Sequence, residues 1–439
     1  MRKKLDKYLA QPFNQFFRLE SSSGILLFFV TLVALGLANS PWSDVYHRIW
    51  QQPVTLGAPD IFLLSKPLIL WINDGLMAVF FFLIGLEIKR ELTIGELNNL
   101  KKASLPVVAA IGGIAIPVLF FCILNGDPET AGGWGITMAT DIAFALAVLK
   151  VLGNRIPLGL KIFLTAFAIV DDLVAVLCIA IFYTGDISFS LLLWALAIVA
   201  VLLLFSWRGL YSPYFFFAAG CVVWVLFLKS GVHPTLAGVL MAFTIPMQSG
   251  RHRTELFEKL KKAMNELESP AADRLPDYNQ LTDHEIAVLG ELQDLMDQVQ
   301  SPLQNLEHKL HGWVAYFILP LFAFANAGVS LDASQGIAGL SLVIAFSLLA
   351  GKFCGIFFFS WMAVKTRICT LPSDLSFSHL AGAGLLAGIG FTMAMFITNL
   401  AFDNPEYINA AKTGILASSA IAAAAGFVFL RLTSKPRPS

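Results

Sequence analysis

The sequence predicts an all-α polytopic membrane protein of about twelve transmembrane helices, and three observations carry that prediction. Of 439 residues, 57% are hydrophobic and only 14% charged, where a soluble domain carries about 25% charged residues. Mean hydropathy is +0.72. Apolar stretches long enough to cross a bilayer recur along the whole chain, which no single soluble core explains. The formal net charge is zero, so nothing points to a nucleic-acid partner. Four of the five cysteines (Cys122, Cys178, Cys221 and Cys354) lie in apolar segments and read as small buried hydrophobes rather than disulfide partners or metal ligands.

By apolar length and turn punctuation the spans fall near 24–41, 68–86, 105–124, 134–149, 162–183, 189–206, 213–228, 231–247, 312–330, 337–364, 378–400 and 408–430. The first reads as a retained span, because a polar and basic lead precedes it and no convincing cleavage pattern follows. Loop charge gives the orientation. One set of connections, with both termini, holds Arg2, Lys3, Lys4, Lys7, Arg18, Lys89, Arg90, Lys101, Lys102, Lys150, Arg155, Arg208, Lys365, Arg367, Arg431, Lys435 and Arg437. The other set holds only Arg48, Lys66 and Lys229. That asymmetry puts both termini in the cytoplasm.

One region departs from the pattern. Residues 249–310 carry seven Lys/Arg against twelve Asp/Glu. Leu256, Phe257, Leu260, Met264 and Leu267 form one stripe at helical spacing. Ile286, Leu289, Leu292, Met296 and Val299 form another, opened by a capping box at Thr282 and Glu285. The chain therefore divides into spans 1–8 (1–248), a cytoplasmic acidic helical hairpin (249–310), and spans 9–12 with a basic tail (311–439). The hairpin is either a solvated elaboration or a regulatory, partner-binding element.

The charges that stand out inside the spans are Asp74, Asp141, Asp171, Asp172 and Lys352. Each costs about 2.5–3.5 kcal/mol at mid-bilayer on insertion scales, and such residues mark ion or proton pathways. Asp171 and Asp172, in "FLTAFAIVDDLVAV", are about 100° apart on a helix and reach one polar crevice from two angles. Two close carboxylates cannot both ionise cheaply in a low dielectric, so the pair accepts a proton near neutral pH. Deprotonated, it is a set of hard oxygen ligands for a small cation. Protons and a cation then compete for one site, which suffices for exchange if the site faces each side in turn. Thr140 and Asp141 sit mid-span in "ITMATDIAFA", after Gly132, Gly133 and Gly135. "GAGLLAGIGFTMAMF" carries Gly382, Gly384, Gly388 and Gly390. Such glycines either let a span unwind around a cavity or serve ordinary helix packing. At a broken helix Asp141 offsets an N-terminus and Lys352 a C-terminus. Lys352, deep in its span, neutralises a carboxylate or itself carries a proton. Asp74, near the outer end of its span, has a local hydrogen-bonding role.

"ATDIAFALAVL", "FLTAFAIVDDL", "INDGLMAVFFFLIGLEIKREL", "LEHKLHGWVAYFILPLFAFANAGVSL" and "LLAGIGFTMAMFI" resemble the NhaA-type bacterial sodium/proton antiporters, from about residue 12 to 431 apart from 250–300. The resemblance implies inverted repeats, spans 3–5 against spans 10–12, with spans 4 and 11 interrupted. It implies a cation and proton site at Asp172 and Asp171, Lys352 paired with Asp171, and Thr140 and Asp141 in support. Sodium, lithium and protons are the implied substrates, with no cofactor and no enzymatic chemistry. Exchange is electrogenic, by a homodimer in the bacterial inner membrane, with dimer contacts in the outer loop at residues 42–66. A pH-responsive cluster is implied at Glu87, Lys89, Arg90, Glu91, Glu307, His308 and His311, with His233 linked to the same response. Gly312 stands where that family's pattern has proline.

Three other readings fit less well. A proton-coupled transporter for potassium or another cation would use the same carboxylates. An intramembrane aspartyl protease needs a "GxGD" context that the sequence lacks. A passive channel gives no reason for a lysine facing an aspartate.

Overall fold

The computed structural model describes residues 22–58, 62–247, 253–268, 286–292, 295, 301–330 and 339–434. It is helical almost throughout, as an apolar chain must be when every backbone amide in lipid needs an internal partner. The chain runs α1 (Ser22–Ala38), then turns through 111° into the short α2 (Ser43–Gln51). A two-stranded antiparallel hairpin follows, β1 (Pro53–Ala58) and β2 (Phe62–Pro67), in register from Pro53 opposite Pro67 to Ala58 opposite Phe62. The helices continue as α3 (Leu68–Thr93), α4 (Leu100–Leu124), α5 (Pro128–Met138), α6 (Ile142–Leu152), α7 (Leu158–Phe182), α8 (Phe189–Trp207), α9 (Pro213–Ser230) and α10 (Thr235–Thr244). Next come α11 (Arg253–Glu268) and α12 (286–292). Helix α13 runs from Pro302–Trp313 through a π-helical turn, Val314–Ile318, into Leu319–Asn326. The chain ends with α14 (Leu340–Lys365), α15 (Phe377–Ala387), α16 (Phe391–Ala401) and α17 (Pro405–Thr433).

Among the described residues, seven helices are long and apolar enough to cross a membrane, and ten if each sharply bent pair is one span. Two of those pairs are α5 with α6, bent by 45°, and α15 with α16, bent by 43°. Two further apolar elements fall outside that count. Helix α10 has only ten residues, closed off by Pro234 before it and Pro246 after it. Helix α13 begins ten residues before the predicted start of its span.

One continuous hydrophobic core joins these helices. Helix α4 packs closely on α14, where Gly112 and Gly355 face each other. A Cβ on Gly355 would lie 2.6 Å from the carbonyl carbon of Gly112. Such small-residue contacts let membrane helices approach where lipid supplies no hydrophobic drive. Helix α3 packs mainly on α10 and α13 instead.

The predicted acidic hairpin forms a small core of its own, which includes Leu260 and Leu292 of the two predicted stripes. Ala263, Val288, Leu292 and Leu295 are buried, with Leu260 against them. Met264, Ile286 and Leu289 are exposed. The predicted stripes share Leu260 and Leu292 with this core, and the neighbouring positions Ala263 and Val288 are buried in place of Met264 and Leu289. Thr282, Glu285, Met296 and Val299 lie outside the described residues. The cysteines are all free. Cys122, Cys221 and Cys354 are exposed, not buried; they lie on the apolar outer surface of α4, α9 and α14.

Candidate functional site

Helix α7 delivers Asp171 and Asp172 to the place where the α5–α6 and α15–α16 bends meet. Lys352 is fully buried there, and Asp171, Asp172, Asp141 and Thr140 are at most 5% exposed. The Lys352 ammonium lies 2.9 and 3.0 Å from the two carboxylate oxygens of Asp171 and also donates to the Met138 carbonyl. Its charge is drawn to Asp172 as well, and it stands 5.6 Å above the Phe167 ring. Three attractive partners and an aromatic face hold an ammonium that could not otherwise stay charged so far from water.

The bends expose four helix ends, and each finds a named partner. Lys352 takes the last carbonyl of α5, at Met138. Asp141 caps α6 through Phe144 N–H to Oδ1, 3.0 Å. Its Oδ2 accepts from the backbone N–H of Thr392 at 3.0 Å and the Thr392 hydroxyl at 2.6 Å, at the start of α16. The end of α15 is met by the Thr140 hydroxyl on the Ala387 carbonyl, 3.2 Å, and by Asp141 N–H on the Ile389 carbonyl, 2.6 Å. A helix N-terminus carries partial positive charge and a C-terminus partial negative charge. Asp141 therefore serves two N-termini at once, and Lys352 one C-terminus.

The glycines divide between the two roles that the sequence left open. Gly133 and Gly135 lie inside α5, not at its break. A Cβ there would strike the rings of Phe402 (2.7 Å) and Tyr183 (3.0 Å). Gly382 and Gly384 likewise give close packing, on Leu430 and Phe353. The first break falls at Ala139–Asp141, in extended backbone. Only Gly388 and Gly390 flank a break, between α15 and α16.

The residues singled out for pH response fall into two places. At one end of α3, Arg90 bonds Glu307 and lies 2.9 Å from Glu91, while Glu87 lies 3.9 Å from His311. Lys89 donates to the carbonyls of Phe243 (2.8 Å) and Ile245 (2.6 Å). Burial pushes the Glu307 carboxyl above its ordinary value, against the pull of Arg90. His308 is exposed beside this cluster. A Cβ on Gly312 would meet nothing within 4 Å, so the position has room for a larger residue.

His233 is elsewhere. Its Nε2 lies 3.9 Å from Asp74, its Nδ1 is 2.7 Å from the Thr235 hydroxyl, and its ring packs edge-on to Phe396. Asp74 also pairs with Lys66 at 2.9 Å. From residue 74 to residues 87–90 the helix rises about 20 Å, so His233 is not part of the Arg90 cluster.

Thr392 was missed as a site residue. It stands in the quoted "GIGFTMAMF", but nothing local marks a threonine as the partner of an aspartate 251 residues away. The π-helical turns Trp71–Leu76 and Ser347–Gly351 were also unforeseen. The first carries Asp74 and the second leads directly into Lys352; such turns often occur at functional positions.

Residues 14–430 match the family described as Na+/H+ antiporter 1. The chain belongs to that family. Similar proteins cover the antiporter nearly end to end. A relative from Oleidesulfovibrio alaskensis named Na(+)/H(+) antiporter NhaA is 48% identical over 99% of this chain and 96% of its own. A protein of the same name from Koribacter versatilis is 44% identical over 96% and 91%, and one from Bacteroides fragilis is 42% identical over 95% and 97%. With its apolar helices, this member of the antiporter family is a multi-pass membrane protein.

Proposed function

We propose that the chain is a secondary antiporter that exchanges cytoplasmic sodium, or lithium, for external protons, with Asp171 and Asp172 as the shared site. The observation that carries the reading is the Asp171–Lys352 pair, buried where two broken helices meet. A buried ion pair is a poor route to stability compared with apolar packing. It makes sense as a site in which a cation or a proton can take the place of one partner. Asp172 is the principal cation ligand and Asp171 its neighbour, released by Lys352 when a cation enters. Thr140 and Asp141 support the site by holding the helix ends, and Asp74 has a local structural role.

The wider reading follows the family. The protein has twelve spans, both termini cytoplasmic, inverted repeats, and spans 4 and 11 interrupted at the α5–α6 and α15–α16 bends. It lies in the bacterial inner membrane and works electrogenically as a homodimer. The β1–β2 hairpin supports that last point, because its Val54 and Leu56 side chains are exposed and an open strand edge invites pairing. Regulation by pH belongs to Glu87, Arg90, Glu91, Glu307, His308 and His311. His233, beside Asp74, acts at a separate position. Residues 249–310 form a cytoplasmic insertion outside the transport path.

The test is sodium-induced collapse of a proton gradient in inside-out vesicles, for wild type and Asp172→Asn across a range of pH. Sodium or lithium should collapse the gradient with wild type and not with the variant. A response to potassium alone, or full activity in the variant, rejects the assignment of ion or site.

A further inference from the structure

Three buried asparagines form a chain that the ion site does not use. Asn399, near the end of α16, donates to Asn326 Oδ1 at 2.8 Å. Asn326, the last residue of α13, donates to Asn73 Oδ1 at 2.9 Å and to its own helix at the Phe322 carbonyl, 3.0 Å. Asn73 lies in the π-helical turn of α3. Asn73 and Asn326 are buried and Asn399 is half-buried. The three residues are 253 and 73 positions apart in sequence, so the chain exists only in the folded protein.

The elements it joins matter. Thr392, in the first turn of α16, holds Asp141, so α16 is tied to the proposed ion site. Helices α3 and α13 belong to the other packing group, with α10. An alternating-access carrier moves one such group against the other. Of the two amide bonds, Asn326–Asn73 lies within the α3–α13 group and fixes Asn326 there, while Asn399–Asn326 crosses the boundary. The crossing bond stabilises one relative position of the two groups.

We propose that the Asn399–Asn326 bond, with Asn326 held in place by Asn73, latches the site-bearing helices to the α3–α13 group and sets the balance between the inward-facing and outward-facing states of the site. The inference rests on the exchange reading above. A buried hydrogen bond contributes a factor of roughly two to ten in an equilibrium. When only a fraction of the protein faces one side, the apparent affinity on that side falls by that fraction. Loosening the latch therefore moves the apparent sodium KM in opposite directions on the two faces.

The experiment uses the full chain in proteoliposomes, with sodium KM measured separately from each face. Asn326→Ala removes both links. Asn399→Ala removes one, from a half-buried position, and serves where the first variant folds poorly. Ser418→Ala is the control, since the Ser418 hydroxyl bonds only within its own helix, to the Ile415 carbonyl. The expected result is a two- to tenfold rise in KM on one face and a fall on the other, with Ser418→Ala unchanged. KM values that stay fixed, or that move together on both faces, overturn the latch. Wild type without sodium-dependent exchange fails the exchange reading itself, and the two failures are thereby distinct.

Discussion

Asp141 offers the sharpest test of how the helix ends are held. Its carboxylate accepts three hydrogen bonds: Phe144 N–H at 3.0 Å, Thr392 N–H at 3.0 Å and the Thr392 hydroxyl at 2.6 Å. A bond to a charged acceptor contributes about 1.5–3 kcal/mol, so Thr392→Val, which removes only the hydroxyl, should cost about that much. Asp141→Ala orphans all three donors but also relieves the desolvation of a buried carboxylate, several kcal/mol in itself. The net loss should be about 2–5 kcal/mol. Asp141→Asn keeps a good cap for α6, since asparagine serves there as well as aspartate. It loses part of its hold on α16, and should cost about 1–3 kcal/mol. In the double variant Asp141→Ala/Thr392→Val the hydroxyl has already lost its partner. The double should therefore cost little more than Asp141→Ala, a coupling of about 1.5–3 kcal/mol. The assay is equilibrium unfolding of the purified protein in micelles, followed by tryptophan fluorescence. Additive costs, or equal costs for Asn and Ala at position 141, would refute the shared-cap account.

Three further outcomes follow from the same geometry. Lys352→Met leaves the buried Asp171 carboxylate without its ammonium and should cost about 3–5 kcal/mol, while Asp171→Asn/Lys352→Met should recover part of that loss; melting temperatures of the singles and the double in detergent decide it. Gly355→Ala drives a Cβ into the Gly112 backbone and should cost about 1–3 kcal/mol of packing, seen as a lower melting temperature, whereas Gly312→Ala, which meets nothing, should be neutral in the same assay. Burial raises the Glu307 carboxyl, so between the ordinary glutamate value and the raised one the folded chain keeps a proton that the unfolded chain has released. Stability then falls as pH rises through that window, and Glu307→Gln should flatten the slope of melting temperature against pH; an unchanged slope refutes the assignment.

Much of the site was legible because cost is legible. A carboxylate or ammonium inside an apolar run stands out, and Asp141, Asp171, Asp172 and Lys352 did. Their mutual placement follows from helical position and from the need of each buried charge for a partner. Glycine was less informative than it looked. Gly133 and Gly135 are small because Phe402 and Tyr183 press on them, and the backbone breaks at least four residues later, at Ala139–Asp141. A glycine signals close approach or unusual backbone with equal force, and one sequence does not separate the two. Partners remote in the chain were not legible at all. Thr392, Asn326 and Asn399 are ordinary residues in apolar helices until folding brings their partners to them. On α11 and α12 the stripes were right at Leu260 and Leu292 and one position out at Met264 and Leu289, where the neighbours Ala263 and Val288 are buried, because helical spacing alone fixes a face only to within about one residue.

The distribution of partners at the bends bears on how exchange proceeds. Asp141 is fully engaged by structure: both oxygens hold backbone donors at helix ends, and moving it would unravel two caps together. Lys352 is engaged differently. It bonds Asp171 but also the Met138 carbonyl, and it feels Asp172. On the proposed exchange, a cation or proton that took its place at Asp171 would leave the ammonium a carbonyl partner and the attraction of a second carboxylate. The cost of an orphaned buried charge, which makes most broken ion pairs prohibitive, is thereby reduced at the one pair that must open. The helix ends are held by groups that stay, and the ion pair is built from groups that can change partner. If exchange runs through Asp171 as proposed, that division would let the site turn over without loosening the bends that shape it.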